Sequence, residues 1–121
     1  MAKTNKKPTV LLRWKRQPNE RGLARVIQGP RGWDLYMGTE RLGYVRVLYM
    51  GLSRQTNGWY YVTPARPGIE YRNSCGERGV PAETVRASLA KYITECMNAA
   101  HPEATYKVHA RVPGVRRTEE G

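Results

Sequence analysis

Arginine stands close to tyrosine or tryptophan in several short stretches of this chain. Gly43-Tyr-Val-Arg46 sets Arg46 two residues from Tyr44, Trp59-Tyr-Tyr61 puts three rings in a row, and Ile69-Glu-Tyr-Arg72 ends on another guanidinium. Arginine neutralises phosphates and forks onto planar acceptors, while aromatic rings stack on bases or pack on sugars, so the mixture suits a nucleic acid. The loop Ser53-Arg-Gln-Thr-Asn57 adds Arg54 among side chains able to grip a backbone. Lys107 and Arg111, in Thr105–Val112, fall on the polar side of a further alternating run, and Arg25, in Gly22-Leu-Ala-Arg-Val26, stands where Arg46 stands in Gly43-Tyr-Val-Arg-Val47. Arg25, Arg46, Arg54, Trp59, Tyr61, Arg72, Lys107 and Arg111 are therefore the expected contact residues. Lys3, Lys6 and Lys7 precede the first of these runs as a basic arm.

Other chemistries find less in the sequence. His101 precedes a proline, His109 lies among polar residues of an alternating run, and with Cys75 and Cys96 they match no zinc spacing. Cys96 falls on the apolar side of a helical pattern and reads as packing. Cys75 has no histidine near it in sequence to activate it. Asp34, Glu40, Glu70 and Glu77 are scattered, with no pair spaced for acid–base or two-metal work. Gly29-Pro-Arg-Gly32 does not open a helix as a phosphate-cradling loop would. No metal, cofactor or catalytic activity is expected.

The charge balance points the same way. The 121 residues carry 21 Lys and Arg against 10 Asp and Glu, a net +11, and 15 of the cations are Arg. The first 79 residues hold +10 of that surplus and residues 80–102 hold none. A basic surplus confined to one part of a fold is the footprint of a polyanion partner. All eleven aromatics are Tyr or Trp and none is Phe, so every ring carries a polar edge that seeks water or a partner. No run is long and apolar enough to span a membrane, the N-terminus has no apolar core of a signal peptide, and two cysteines fit a reducing cytoplasm.

The elements that must hold these residues follow from periodicity. Alternation predicts strands over Thr9–Arg16, Leu23–Gln28, Trp33–Met37, Arg41–Met50, Trp59–Thr63 and Ile69–Ser74, punctuated by Gly and Pro in the manner of a meander. In Thr9–Arg16 the apolar Val10, Leu12 and Trp14 oppose Arg13 and Lys15; in Trp33–Met37, Asp34 and Tyr36 oppose Trp33, Leu35 and Met37. In Arg41–Met50, Arg46 shares a face with Leu42 and Tyr44 while Val45 and Val47 point away; farther on, Trp59 and Tyr61 oppose Tyr60 and Val62. Pro81–Ala100 places Val85, Leu89, Tyr92, Ile93, Cys96 and Met97 on one helical stripe. Thr105–Val112 reads as an edge strand whose outer face carries Lys107, His109 and Arg111, and Pro113–Gly121 as a disordered tail. Gly22-Leu-Ala-Arg-Val with Gly32-Trp, and Gly43-Tyr-Val-Arg-Val with Gly58-Trp, read as two copies of one hairpin, which would make Arg25 equivalent to Arg46 and Trp33 to Trp59.

The stretch from Leu42 to Ile93 resembles the three-strands-then-helix plan of plant AP2 domains and phage-integrase arm-binding domains. Gly43-Tyr-Val-Arg46 is similar to their opening strand, Trp59 to their second-strand tryptophan, and Pro81-Ala-Glu-Thr-Val-Arg-Ala-Ser-Leu-Ala-Lys-Tyr92 to their closing helix. The resemblance implies that the sheet enters the DNA major groove, carrying Arg46, Arg54, Trp59 and Arg72. It covers under half the chain, and Cys75-Gly-Glu-Arg-Gly79 replaces the family's Leu-Gly-x-Phe turn. Size, Arg bias and Gly-Trp strands also resemble small phage and prophage accessory proteins.

The expectation is a single α+β domain over residues 9–112: an antiparallel meander of five to six strands with one long amphipathic helix on one face. A flexible basic arm, residues 1–8, precedes it. The open face, bearing Arg, Tyr and Trp, is expected to bind nucleic acid, duplex DNA before RNA, without catalysis and in the cytoplasm. The alternative is a small phage-encoded inhibitor that binds a host enzyme or defence complex, since exposed Tyr, Trp and Arg also dominate protein interfaces.

Overall fold

The structure, a computed structural model, describes residues 7–17, 32–48, 58–74, 76 and 79–115. Its elements are β1 (Thr9–Arg16), β2 (Trp33–Met37), β3 (Glu40–Leu48), β4 (Gly58–Thr63), β5 (Arg72–Asn73), α1 (Ala82–Ala100) and β6 (Thr105–Val108). The six strands form one curled sheet in the order β5-β4-β3-β2-β1-β6. β1 to β5 are a true antiparallel meander, each pairing with the next.

β6 breaks that pattern, because it pairs parallel with β1, with Thr9 opposite Thr105 and Leu12 opposite Val108. The sheet is mixed, not a pure antiparallel meander. The cause is the helix, which takes the chain from β5 at one edge back across the sheet to β1 at the other, a crossover that permits parallel pairing. The helix is 19 residues, about 28 Å at 1.5 Å per residue, and is short rather than long.

Alternation holds in β1, where Leu12 and Trp14 are buried and Leu11, Arg13 and Lys15 face out. Gly38, at φ +62°, occupies the left-handed region that the two-residue turn between β2 and β3 requires. One residue after Leu35 the β2–β3 register shifts, so that Leu35 pairs with Gly43 and Tyr36 with Arg41, leaving Leu42 extra. Such a bulge turns Leu42 into the core, where it is fully buried, instead of outward beside Arg46. β2 has β1 on one side and β3 on the other. The first arm of the expected hairpin repeat, residues 22–26, lies outside the described residues. The expected strand Leu23–Gln28 lies outside the described residues, as does Cys75. Of the expected strand Ile69–Ser74 only Arg72–Asn73 pairs in the sheet, with Ile69 bridged to Arg66.

α1 begins after Pro81, which holds the cap position, and its buried row is Val85, Arg86, Leu89, Ile93 and Met97. It packs on β3, β4 and β6. Gly43 permits the closest approach: a Cβ there would lie 3.1 and 3.4 Å from the two Leu89 methyls and 3.0 Å from the Val62 carbonyl oxygen. Tyr92 and Cys96 pack against the core from partly buried positions. Pro113–Val115, expected as the start of the tail, are tied down: Trp33 Nε1–H donates to the Pro113 carbonyl at 2.7 Å and an Arg16 N–H to that of Gly114 at 3.2 Å.

The helix also closes one sheet edge. Asn98 Oδ1 accepts from the Tyr106 N–H at 2.7 Å and Asn98 Nδ2 donates to the Tyr106 carbonyl at 3.4 Å, occupying the outward backbone groups of Tyr106 in β6. An edge strand with free groups is a template for another chain. Asn98→Ala should lower unfolding free energy by about 1 kcal/mol and make the protein associate as concentration rises. Urea denaturation and analytical ultracentrifugation check this, and an unchanged midpoint without association would remove Asn98 from that role.

Candidate functional site

Directly opposed residues in a sheet share a face, so the ladder sorts the paired side chains onto the helix side or the opposite side, where Val62, across from Tyr44, is buried among its neighbours. On the face away from α1, β1 contributes Arg13 and Lys15, β2 Asp34 and Tyr36, β3 Tyr44 and Arg46, and β4 Tyr60. Arg41 joins them opposite Tyr36, and Lys107 opposite the exposed Leu11. Five cations and three tyrosines therefore interleave on one surface.

Their geometry is defined by stacking. The guanidiniums of Arg41 and Arg46 both lie over the Tyr44 ring, 4.9 and 4.6 Å from its centroid, and Lys15 Nζ lies 4.3 Å from that of Tyr36. Such contacts hold long cationic side chains in extended, displayed conformations at small cost. Asp34 is the one acid in these rows. Its Oδ1 accepts from Gln17 Nε2 at 2.9 Å and lies 3.9 Å from an Arg41 nitrogen, which leaves Arg13, Lys15, Arg46 and Lys107 to set the sign of the face. Glu40 is held away at the hairpin end by an ion pair with Arg66.

The expected contact residues divide. Arg46 and Lys107 lie on the open face. Trp59 and Tyr61 do not: β4 pairs Tyr61 with Val45 and Trp59 with Val47, on the helix side. Tyr61 is buried, and Trp59 packs on Trp33 with ring centroids 5.5 Å apart. Both line a cleft of about 280 Å³ with Val80, Thr84, Val85 and Ser88. Arg72 also belongs to the helix side, its guanidinium 3.9 Å from the Tyr92 ring centroid. A hydrogen bond to the Tyr61 side chain holds its pKa above the ordinary arginine value. Arg111 is exposed beyond the end of β6, its N–H donating to His109 Nδ1 at 3.1 Å. His109, expected to face outward, lines a groove on the helix side instead. Arg25 and Arg54 lie outside the described residues.

Arg13, Lys15, Tyr36, Arg41, Tyr44 and Tyr60 join the face beyond the residues expected from sequence. For all but Arg41 the signal is present, since each lies opposite the apolar set of its strand, and what the sequence lacks is the register that lines those sets up. Arg41 has the parity of Val45 and Val47, and only the bulge at Leu42 turns it outward.

The burial of Tyr92 raises its pKa, and Cys96 beside it adds to the rise. Among the described residues no three His, Cys, Asp or Glu gather as metal ligands, and no helix is long and apolar enough to cross a membrane. No protein-family model, curated protein or solved structure matches this chain.

Proposed function

We propose that the protein binds nucleic acid, duplex DNA ahead of RNA, through the open face of its sheet and without catalysing a reaction. The observation that carries this reading is the interleaving of Arg13, Lys15, Arg41, Arg46 and Lys107 with Tyr36, Tyr44 and Tyr60 on a face the helix leaves bare. Strands lie about 4.8 Å apart, so three steps from β6 to β3 spread these cations over about 14 Å. That width compares with a major groove of about 12 Å, into which β-ribbons and sheets dock. The cations meet phosphates, and the tyrosines, already packed against guanidiniums, offer rings to sugars or bases.

Fluorescence anisotropy with a labelled duplex, its single strand and the matching RNA tests the proposal. The duplex should bind tightest at about 50 mM salt, and log affinity should fall with log salt at a slope of about −4.5 if five phosphates are neutralised. Binding of none of the three at low salt would overturn it. The face is tested separately. Arg46→Ala should weaken duplex binding several-fold and lessen the slope by about 1, whereas Arg72→Ala, on the helix side, should change neither. The reverse pattern would move the site to the helix side.

A further inference from the structure

The other side of the molecule holds a cation that the sheet face does not account for. α1 and residues 108–115 border a groove of about 640 Å³, walled by Trp14, Ala87, Ala90, Val108 and Val112. That volume lies in the range of small-molecule sites, about 300–1,000 Å³. Arg86 lines the groove and is only 9% exposed, on the same buried row of α1 as Val85 and Leu89. Its guanidinium lies 4.4 Å from the Trp33 ring centroid. Among the described residues it has no hydrogen-bond acceptor and no carboxylate at ion-pair distance.

Arg16 lies over the same Trp33 ring at 4.3 Å, and Glu83, one turn before Arg86, is the one acid among the described residues of the groove wall. Burial, reinforced by the like charge of Arg16, lowers the Arg86 pKa despite the opposing pull of Glu83. None of the Arg86 nitrogens is both buried and unpartnered, so the guanidinium, covered on one side by Trp33, opens into the groove where an anion can reach it. A carboxylate is the matching acceptor, because its two oxygens take two parallel bonds from the guanidinium fork. The apolar walls set the rest of the ligand.

We infer that the groove between α1 and residues 108–115 binds an apolar monocarboxylate, its carboxylate on Arg86 and its hydrocarbon body against Trp14, Ala90, Val108 and Val112. The site is separate from the sheet face and does not depend on the nucleic-acid reading. His109 also lines it, its Nδ1 accepting the Arg111 N–H.

Octanoate is the probe, with 1-octanol and acetate as comparisons, in ¹H–¹⁵N correlation spectra of the full chain. The Trp33 indole N–H, bonded to the Pro113 carbonyl, reports from beside the groove. Octanoate should shift that signal and the Ala87 and Ala90 amides saturably while leaving Tyr44 and Arg46 in place. Octanol, lacking the charge, and acetate, lacking the body, should each bind at least about tenfold more weakly. Arg86→Met should cost octanoate at least about tenfold in affinity, and Arg86→Lys, which keeps the charge without the fork, several-fold. Equal affinity for octanoate and octanol would overturn the proposal, as would an Arg86→Met protein that folds and binds octanoate unchanged. The octanol comparison uses the natural chain, so the test stands even if both variants misfold.

Discussion

Leu89→Asp is expected to leave the chain without a cooperative fold. Leu89 is fully buried in the middle of α1 and sits over Gly43, where the helix comes nearest to the sheet. The cluster around it is apolar from Leu12 to Met97, and Arg86, the buried cation one turn earlier on α1, is turned onto the Trp33 ring. An aspartate there must lose its hydration or take up a proton, a penalty of several kcal/mol on top of the lost leucine contacts, against a total stability of about 5–15 kcal/mol. Far-UV circular dichroism and thermal melting read the outcome directly. Leu89→Ala provides the graded comparison, with an expected loss of about 2–5 kcal/mol in urea denaturation. A Leu89→Asp protein that melted cooperatively near the parent temperature would mean that the helix does not pack on β3 through this residue.

The second large effect is on binding. Arg13→Glu, Arg46→Glu and Lys107→Glu combined should lower affinity for duplex DNA by at least about 10³-fold at about 50 mM salt, because three attractive contacts become repulsive ones. The salt slope should lessen by about 3, one unit for each phosphate contact removed. All three side chains are exposed and come from β1, β3 and β6, so stability should change little beyond the Arg46–Tyr44 stack, about 0.5–1 kcal/mol. Matching melts of variant and parent separate lost binding from lost folding. A folded triple variant with unaltered affinity would exclude the open face as the site. Loss without any change of slope would also count against phosphate contact, since neutralising phosphates is what releases counterions.

Particular residues mark how far the sequence could be read. Trp14 inward with Arg13 and Lys15 outward was legible, because a period of two fixes which residues of one strand travel together. The helical stripe Val85, Leu89, Ile93 and Met97 was legible for the same reason at a period of 3.6. The opposition of Trp59 to Tyr60 was also read correctly, yet Trp59 and Tyr61 were assigned to the wrong face. Periodicity sorts a strand into two sets without saying which set matches Arg46 on its neighbour; only the pairing of Tyr60 with Arg46 decides that. Leu42 failed differently, because a one-residue bulge reset the alternation that placed it beside Arg46.

Local patterning by itself determined the α+β class, the helix, the strands Thr9–Arg16, Trp33–Met37 and the cores of those at Glu40–Leu48 and Gly58–Thr63, the surplus of positive charge and its absence from the helix. These depend on interactions between residues close in the chain, and the sequence displays them directly. The tertiary structure alone decided the parallel docking of β6 on β1, the open face of arginine and tyrosine, and the burial of Arg86 over Trp33. Each joins residues far apart in sequence. Arg86 is one charged residue on an otherwise amphipathic helix, and nothing within a few positions of it marks it for burial. Its partner ring, 53 positions away, and the groove wall supplied by Val108 and Val112 exist only once the sheet has curled and the helix has crossed it.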